Sequence, residues 1–171
     1  MRLPRLTTDR LILRELTPAD APQIQKMAAD KRVSDMTASI PYPYPENAAV
    51  EWIAKHVGDW QEMKSLTLGV DALESGLIGA ISMEFQQDDK AEIAYWIGVD
   101  YWGKGFATEV VKCMVDYGLK QRNLSLIQAR VLSRNPASGT VLLKSGFVKK
   151  DTSDGSCGSK FESIDYFEMQ P

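Results

Sequence analysis

Six consecutive residues between a predicted strand and a predicted helix are suited to binding a phosphate group. They are Gly103, Lys104, Gly105, Phe106, Ala107 and Thr108. Small residues at such a turn let the backbone approach a ligand closely, and the free N–H groups and dipole of a helix's first turn attract anions. The nucleotide signatures GxxxxGK(S/T) and GxGxxG are both absent, the second because position 108 is threonine. The pattern therefore predicts a phosphate or pyrophosphate site of another kind; a glycine turn that only packs a helix on a strand is the alternative.

Few side chains are available for metal binding or nucleophilic catalysis. The chain has one histidine, His56, and two cysteines, Cys113 and Cys157, which lie 44 positions apart. There is no CxxC pair and no Cys/His cluster, so neither a disulfide framework nor a metal site is expected. We expect His56 to pack on the apolar face of a helix with its hydrogen bonds satisfied, Cys113 to be buried and Cys157 to be exposed.

The elements that must position these residues alternate between strands and helices, in the order β-α-α-β-β-β-α-β-α-β-β. Three successive strands, at Ser65–Asp71, Leu77–Phe85 and Ala91–Val99, predict antiparallel pairing. The other predicted elements are a strand within Thr8–Leu16, a helix after Thr17, a helix over Ala49–Trp60, a helix after Ala107, a strand at Leu126–Leu132, a short helix from Asn135, and strands from Phe147 and over Phe161–Met169. This order predicts an α/β fold of the mixed α+β kind, with a mostly antiparallel sheet and helices on both faces.

Size and charge limit the class of protein. The chain has 171 residues, which favours one domain spanning residues 1–171. Its formal net charge is −3, from 20 Lys and Arg against 23 Asp and Glu, which argues against nucleic-acid binding through phosphate contacts. The sequence shows no signal peptide and no apolar run long enough to cross a membrane. We expect a soluble cytoplasmic protein without a nucleic-acid or membrane partner, as a monomer or a homodimer.

The sequence around the glycine turn resembles the acetyl-CoA signature of the GNAT N-acetyltransferases, (R/Q)-x-x-G-x-(G/A). Trp102 stands at its first position, followed by Gly105 and Ala107. The wider stretch Trp96–Glu109, WIGVDYWGKGFATE, is similar to the branch that acetylates the N-termini of ribosomal proteins, which commonly has an aromatic–Gly pair there. Further stretches resemble that branch in the same order along the chain: TDRLILR at 8–14, IPYPYP at 40–45, NPAS at 135–138 and KSGF at 144–147.

The resemblance implies a GNAT-like sheet whose central strand pair splays apart, with the pantetheine arm of acetyl-CoA in the gap. The backbone groups of Ile97, Gly98 and Val99 would pair with the pantetheine amides like an added strand. The N–H groups of Gly103–Thr108 would hold the pyrophosphate. Asn135 would hold the pantetheine or order a water molecule. The implied partners are acetyl-CoA as co-substrate and an amine, and no metal is implied.

The resemblance also implies that the substrate amine attacks the thioester itself, so the enzyme needs no nucleophile. Many family members use a tyrosine seven positions after the motif asparagine as general acid, but Leu142 stands there in this chain. The ribosomal branch places a serine three positions after the asparagine, and Ser138 fits that spacing. Helix capping is the alternative role for both Asn135 and Ser138. Tyr95 is the next candidate for the acid.

The general base is less clearly marked. Some family members carry a glutamate five positions before the motif asparagine, whereas this chain has Arg130. Glu92 lies on the strand that should line the cleft, where a half-buried carboxylate could accept the proton through water. Glu84 and Tyr95 lie nearby in the strand pattern. A salt bridge at the start of the strand is the alternative role for Glu92.

Two classes of function follow from these residues. The first is an acetyl-CoA-dependent N-acetyltransferase acting on a protein N-terminal amine, or alternatively on a small amine such as a polyamine, amino acid or antibiotic. The second is a non-catalytic CoA-binding module with a regulatory role, which would explain the missing tyrosine and glutamate. Ser138 and the intact glycine turn favour catalysis. Tyr42 and Tyr44, in the proline-rich loop, are expected to pack over a ligand or to anchor the loop.

Overall fold

Eight strands form a single sheet in the order β1-β2-β3-β4-β5-β6-β8-β7 in a computed structural model that describes residues 1–171. The strands are β1 Leu6–Thr7, β2 Leu11–Arg14, β3 Ser65–Ala72, β4 Gly76–Gln86, β5 Lys90–Ile97, β6 Leu126–Leu132, β7 Val148–Cys157 and β8 Lys160–Met169. Every neighbouring pair is antiparallel except β5 and β6, which are parallel. The predicted mixed, mostly antiparallel sheet is therefore confirmed.

Five helices pack on the sheet, where four were predicted. They are α1 Ala21–Ala28, α2 Lys31–Met36, α3 Ala48–Gln61, α4 Phe106–Asp116 and α5 Pro136–Lys144. The missed helix, α2, has only six residues, too few for a hydrophobic period to be recognised. Its start carries a local signal, because the Asp30 side chain accepts a hydrogen bond from the Arg32 N–H. None of the helices is long and apolar enough to span a membrane.

The strand predicted within Thr8–Leu16 is β2, and a two-residue strand that was not predicted, β1, precedes it. The Thr8 hydroxyl accepts a hydrogen bond from the Leu11 N–H at 3.0 Å, which closes a local turn. The Thr8 side chain and the Arg10 backbone also donate to the Glu109 carboxylate on α4. These contacts turn the chain away from the strand ladder between residues 7 and 11, and the strand predicted within Thr8–Leu16 is confirmed as β2.

The central strands β5 and β6 separate after a short paired region. Their register covers three residue pairs, from Lys90–Leu126 to Glu92–Gln128. Beyond these pairs β5 continues to Ile97 and β6 to Leu132 without bonding to each other. The predicted splay of the central strand pair is thus confirmed, and it leaves backbone groups facing an open gap.

The two faces of β5 have different surroundings. Ile93 and Ile97 are buried in the main core, which also contains Val110 and Met114 of α4. The opposite face carries Glu92, Ala94 and Trp96 along a cleft whose far wall is formed by α1 and α3. The cleft therefore lies on one face of the sheet and reaches the gap between β5 and β6.

Candidate active site

The principal cleft has a volume of about 640 Å³ and is mostly apolar along its length. Tyr95 lies on β5 where the central strands separate, with Ser138 and Leu142 of α5 beside it. At the other end the cleft is bounded by Trp52 of α3 and by residues 36–41, which follow or end α2. A ligand in the strand gap and a second ligand from the α1–α3 side can therefore meet near Tyr95 and Ser138.

The glycine turn leads directly into α4 with a geometry suited to binding an anion. Gly103 and Gly105 have φ values of +73° and +80°, in the left-handed region that favours glycine. Gly105 is the N-cap of α4, and no side chain caps the helix. The first intrahelical bond runs from the Glu109 N–H to the Gly105 carbonyl, so the N–H groups of Phe106–Thr108 remain available to a ligand.

Arg10, which the sequence did not single out, braces this turn. Its guanidinium donates to the Glu109 carboxylate at 2.8 Å and to the Lys104 carbonyl at 3.0 Å. It also lies over the Phe106 ring at 4.5 Å. Because its partners lie 94 and 99 positions away in sequence, no local pattern could have identified it.

The three backbone residues predicted to face the pantetheine differ in their backbone partners. The Gly98 N–H donates to the Ile78 carbonyl at 2.8 Å and so faces β4. Successive residues of a strand point their backbone groups to opposite sides, which directs those of Ile97, the last residue of β5, toward the gap. Val99 lies beyond the strand in a helical turn, and its carbonyl accepts the Trp102 N–H at 3.1 Å. The Ile97 carbonyl already accepts a bond from the Trp102 indole N–H at 2.7 Å, and its second lone pair remains available.

Tyr95 and Ser138 meet at the mouth of the gap. Their hydroxyl oxygens are 2.7 Å apart, and the Tyr95 hydroxyl is also 3.3 Å from the Ser138 carbonyl oxygen. Burial raises the pKa of Tyr95 to about 12, and its hydrogen bond with Ser138 offsets part of this rise. Tyr95 is therefore a neutral phenol at physiological pH, able to donate a hydrogen bond to Ser138.

The Asn135 side chain makes two hydrogen bonds. Its carbonyl oxygen accepts a hydrogen bond from the Ser138 N–H at 3.3 Å, as an N-cap of α5. Its amide nitrogen donates to the Met36 carbonyl at 3.2 Å. The capping role is present in the structure, whereas contact with pantetheine stays a prediction.

The two carboxylates of the cleft differ in their partners. Glu92 pairs with the Arg130 guanidinium at 2.7 Å, and Arg130 also donates to the Ser156 carbonyl. Glu84 faces Glu92 across the β4–β5 ladder and has no hydrogen-bond or ion-pair partner in the chain. The salt bridge named as the alternative for Glu92 is therefore present, and of the two carboxylates only that of Glu84 is unpaired.

Residues 34–41, here called the 34–41 wall, form one side of the cleft away from the glycine turn. Residues 36–41 line the cleft, and the Ser34 hydroxyl donates to the Ile40 carbonyl at 2.8 Å. Of the two loop tyrosines that follow, Tyr44 lines the cleft, whereas Tyr42 is 54% exposed. Only Tyr44 is placed to pack over a ligand.

His56 is packed as expected, but its hydrogen bonds are not satisfied. It is 5% exposed, and neither ring nitrogen has a partner. Trp52 packs edge-on against it, with ring centroids 4.4 Å apart. Burial lowers the pKa of His56 to about 4, with a smaller opposing effect of Asp59. The prediction failed because α3 places this position beside a polar side pocket of about 170 Å³ rather than beside a hydrogen-bond partner.

The expected exposure of Cys157 is also wrong. Cys157 is 6% exposed, because it packs against Leu132 and Ile164 and lines the cleft. The neighbouring glycines suggested an open turn, but this turn folds back onto the 34–41 wall. Cys113 is half-buried, and both thiols are free. No group of three or more His, Cys, Asp or Glu side chains is arranged to hold a metal.

Comparison with known proteins agrees with this geometry. Residues 10–148 match the family model described as the acetyltransferase (GNAT) domain. The chain is 35% identical over 150 residues to YoaA of Bacillus subtilis, an uncharacterised N-acetyltransferase, covering 86% of this chain and 84% of that protein.

Solved structures share the whole fold at low sequence identity. A Vibrio cholerae protein provisionally classed as a ribosomal-protein-serine acetyltransferase superposes with a TM-score of 0.85 at 18% identity, covering 100% of both chains. RimL, a ribosomal L7/L12 α-N-protein acetyltransferase solved with coenzyme A, gives 0.84 at 12% identity, covering 98% of each chain. The spermidine N-acetyltransferase of Vibrio cholerae, solved with CoA and spermine, gives 0.79 at 19% identity, covering 95% of this chain and 96% of that one.

Proposed function

The chain belongs to the acetyltransferase (GNAT) family and is an N-acetyltransferase; from that premise we propose that it moves the acetyl group of acetyl-CoA to a protein N-terminal α-amine of the ribosomal-protein type. The observation that carries the proposal is the Tyr95–Ser138 hydrogen bond at the point where β5 and β6 separate. It brings the serine of the ribosomal-branch motif to the mouth of the strand gap.

Acetyl-CoA fits the groups that the cleft leaves available. The uncapped N–H groups at the start of α4 suit its pyrophosphate. The outward-facing backbone groups of Ile97, at the end of β5, suit its pantetheine amides. Asn135 caps α5, the helix that carries Ser138, and its proposed contact is with the pantetheine. Bound there, acetyl-CoA supplies an acetyl thioester beside Ser138.

Ser138 and Tyr95 form a donor pair for the leaving sulfur. The Tyr95 hydroxyl donates to the Ser138 oxygen, which leaves the serine proton free to donate to the thiolate. The ammonium group loses one proton before it attacks and a second as the amide forms, and the thiolate gains one when it leaves, so one proton is released for each ammonium ion acetylated. Tyr95, with its pKa raised by burial, holds the serine in the donating orientation.

Two carboxylates can receive the proton of the amine. Glu92, the base predicted from sequence, lies on the cleft wall, but its carboxylate is already in a salt bridge with Arg130. Glu84 lies opposite it without a partner. We assign Glu92 to the general-base role, acting through a water molecule, and Glu84 is the alternative base. Comparing the variants Glu92→Gln and Glu84→Gln distinguishes the two.

A small amine is the second candidate for the acceptor. The observation that favours it is the side pocket, which is lined by the carboxylates of Glu84 and Asp59 and by one ammonium group, that of Lys55, so its charged groups favour a further positive charge. The likeness to a spermidine N-acetyltransferase supports the small amine to the same degree as the likeness to RimL supports the N-terminal amine.

We also propose the cytoplasm as the site of action, because both cysteines are free thiols.

The test is the release of free CoA thiol with a panel of acceptors. Peptides that begin with Ala or Ser are compared with spermidine and with single amino acids, and the products are identified by their mass shift. We expect the peptides to have the highest kcat/KM. A higher kcat/KM for spermidine would replace the proposed acceptor with a polyamine. If none of the acceptors causes release of the CoA thiol, both candidates are contradicted.

A further inference from the structure

The 34–41 wall is fixed by residues that lie far away in sequence. The Lys160 ammonium group donates to the Ser34 and Thr37 carbonyl oxygens, each at 2.6 Å, and lies 3.5 Å from the Asp35 carbonyl oxygen. The backbone N–H of Ser159 donates to the Ala38 carbonyl at 3.2 Å. These contacts join the start of β8 to the end of α2 across more than 120 positions of sequence.

Lys160 satisfies groups that a helix cannot satisfy by itself. The last carbonyls of any α-helix lack intrahelical partners and carry the negative end of the helix dipole. In α2 the Lys160 ammonium group reaches the carbonyls of Ser34 and Asp35. The Ser34 carbonyl also accepts the Thr37 N–H at the longer distance of 3.3 Å, so Lys160 is its second and closer donor. A charged donor to several carbonyls forms stronger hydrogen bonds than a neutral one, so Lys160 accounts for most of the polar contact that this helix end makes with β8.

The turn before Lys160 lies directly against the wall. Gly158 has a φ of +56°, and a Cβ at this position would lie 2.5 Å from the Ala38 carbonyl oxygen. No side chain can be added there unless the wall moves. Lys160 and Gly158 therefore fix the same segment by two independent means, a charged hydrogen-bond donor and a close backbone approach.

The position of the wall decides the width of the cleft at the acceptor side. Residues 36–41 line the same cleft as Ser82 and Glu84 of β4 and as Ser138. An amine that reaches the thioester near Ser138 through this cleft would pass the wall. We propose that Lys160 is a positioning residue that holds the 34–41 wall in place and thereby sets the affinity and size selectivity for the amine acceptor. This inference rests on the proposed acetyl transfer.

The kinetic test compares Lys160→Met with Lys150→Met. Lys150 is exposed on β7, with no hydrogen bond or ion pair, so it controls for the loss of a lysine in the same hairpin. With an Ala-initiated peptide and spermidine as probes, we expect Lys160→Met to raise the acceptor KM about tenfold or more. The KM for acetyl-CoA should stay within about twofold, and Lys160→Arg should recover part of the acceptor affinity. An unchanged acceptor KM, or an equal rise in both KM values, overturns the proposal.

Hydrogen exchange tests the clamp without any acceptor. We expect amide exchange within residues 34–41 to become about tenfold faster in Lys160→Met, with exchange in residues 103–109 unchanged. If the wild-type enzyme acetylates neither probe, the proposed acceptors fail, and this measurement alone decides the clamp. Should Lys160→Met not fold, Gly158→Ala displaces the same wall and must show the same exchange pattern. Protection of residues 34–41 that survives in a folded variant overturns the inference.

Discussion

The glycine turn, where the cofactor is proposed to bind (here the cofactor end), and the 34–41 wall of the cleft (here the acceptor end) are held by different kinds of interaction. At the end that suits the cofactor, the shape is mainly backbone conformation: two glycines with positive φ lead into the uncapped start of α4. At the acceptor end, the 34–41 wall is held by Asn135 and Lys160, which lie 99 to 126 positions away in sequence. The first end depends mainly on local backbone geometry, with Arg10 as a long-range brace, and the second depends on long-range side-chain contacts.

This difference indicates how the two substrates can be separated experimentally. Phosphate binding by backbone N–H groups requires the same conformation in any chain that uses it. A wall held by side chains can move when one of those side chains changes, without disturbing α4. Changes at one end should therefore alter the KM for one substrate and leave the other KM nearly constant.

The largest expected effect is at the cofactor end. Gly105→Asp places a negative charge at the helix start, where the pyrophosphate is expected, and adds a side chain at a φ of +80°. We expect the affinity for CoA, measured by calorimetry, to fall about 10³-fold. Hydrogen exchange in the 34–41 wall should not change.

Gly105→Ala is the matched control for backbone strain. It has the same unfavourable φ without the charge, and the nearest atom to its Cβ would be the Arg10 guanidinium nitrogen at 3.5 Å. We expect only about a tenfold loss of CoA affinity. Unchanged CoA affinity in a folded Gly105→Asp variant would remove the glycine turn from the site.

The second effect is at the junction of the two ends. Ser138→Ala should lower kcat about 10²-fold and leave both KM values nearly unchanged, because the hydrogen bond to the leaving sulfur forms mainly in the transition state. Tyr95→Phe should lower kcat about tenfold, since the serine loses its orienting partner. The double variant should be no slower than Ser138→Ala, because the two hydroxyls act as one unit. If Ser138→Ala retains full kcat and only loses thermal stability, the serine is a helix-start residue.

The sequence predicted the cofactor end better than the acceptor end, for a physical reason. Gly103, Gly105 and the apolar face of α4 are local signals, and local signals specify turns and helix starts. The alternating apolar residues of β3, β4 and β5 likewise determined the antiparallel sheet. Even the closeness of Asn135 and Ser138 followed from their spacing of one helical turn.

The residues missed by sequence reasoning act at long range. Arg10 and Lys160 form their contacts with backbone carbonyls, which every residue possesses, so no residue type marks their partners. The glycine neighbours of Cys157 predict an exposed turn, whereas the fold of its hairpin over the 34–41 wall buries the thiol. The unsatisfied ring of His56 could not be predicted either, because the apolar face of α3 gives no sign of the polar pocket beside it.

The smallest expected effect is on the stability of the protein in acid, where His56 and Glu109 titrate over different pH ranges. The folded-state pKa of His56 is about 4, below its ordinary value of 6.5, because burial disfavours the charged imidazolium. The unfolded chain therefore takes up the proton first, and stability is lost as the pH falls from about 6.5 toward 4. At the cofactor end, burial raises the pKa of Glu109, but hydrogen bonds from Thr8 and Arg10 outweigh it and keep that pKa below 4.5. Stability from Glu109 is lost only as the pH falls below about 4.5.

Urea unfolding at a series of pH values separates the two contributions. Since His56 is the only histidine of the chain, the loss of stability between pH 6.5 and 5 should come chiefly from this residue, at about 1–2 kcal/mol at pH 5. His56→Phe keeps an aromatic ring against Trp52 and removes the titration, so its stability should be nearly constant over that range, whereas Glu109→Gln should keep the wild-type slope there and differ only at lower pH. If His56→Phe retains the wild-type slope between pH 6.5 and 5, the imidazole is not buried in the neutral form, and the acceptor end would titrate no earlier than the cofactor end.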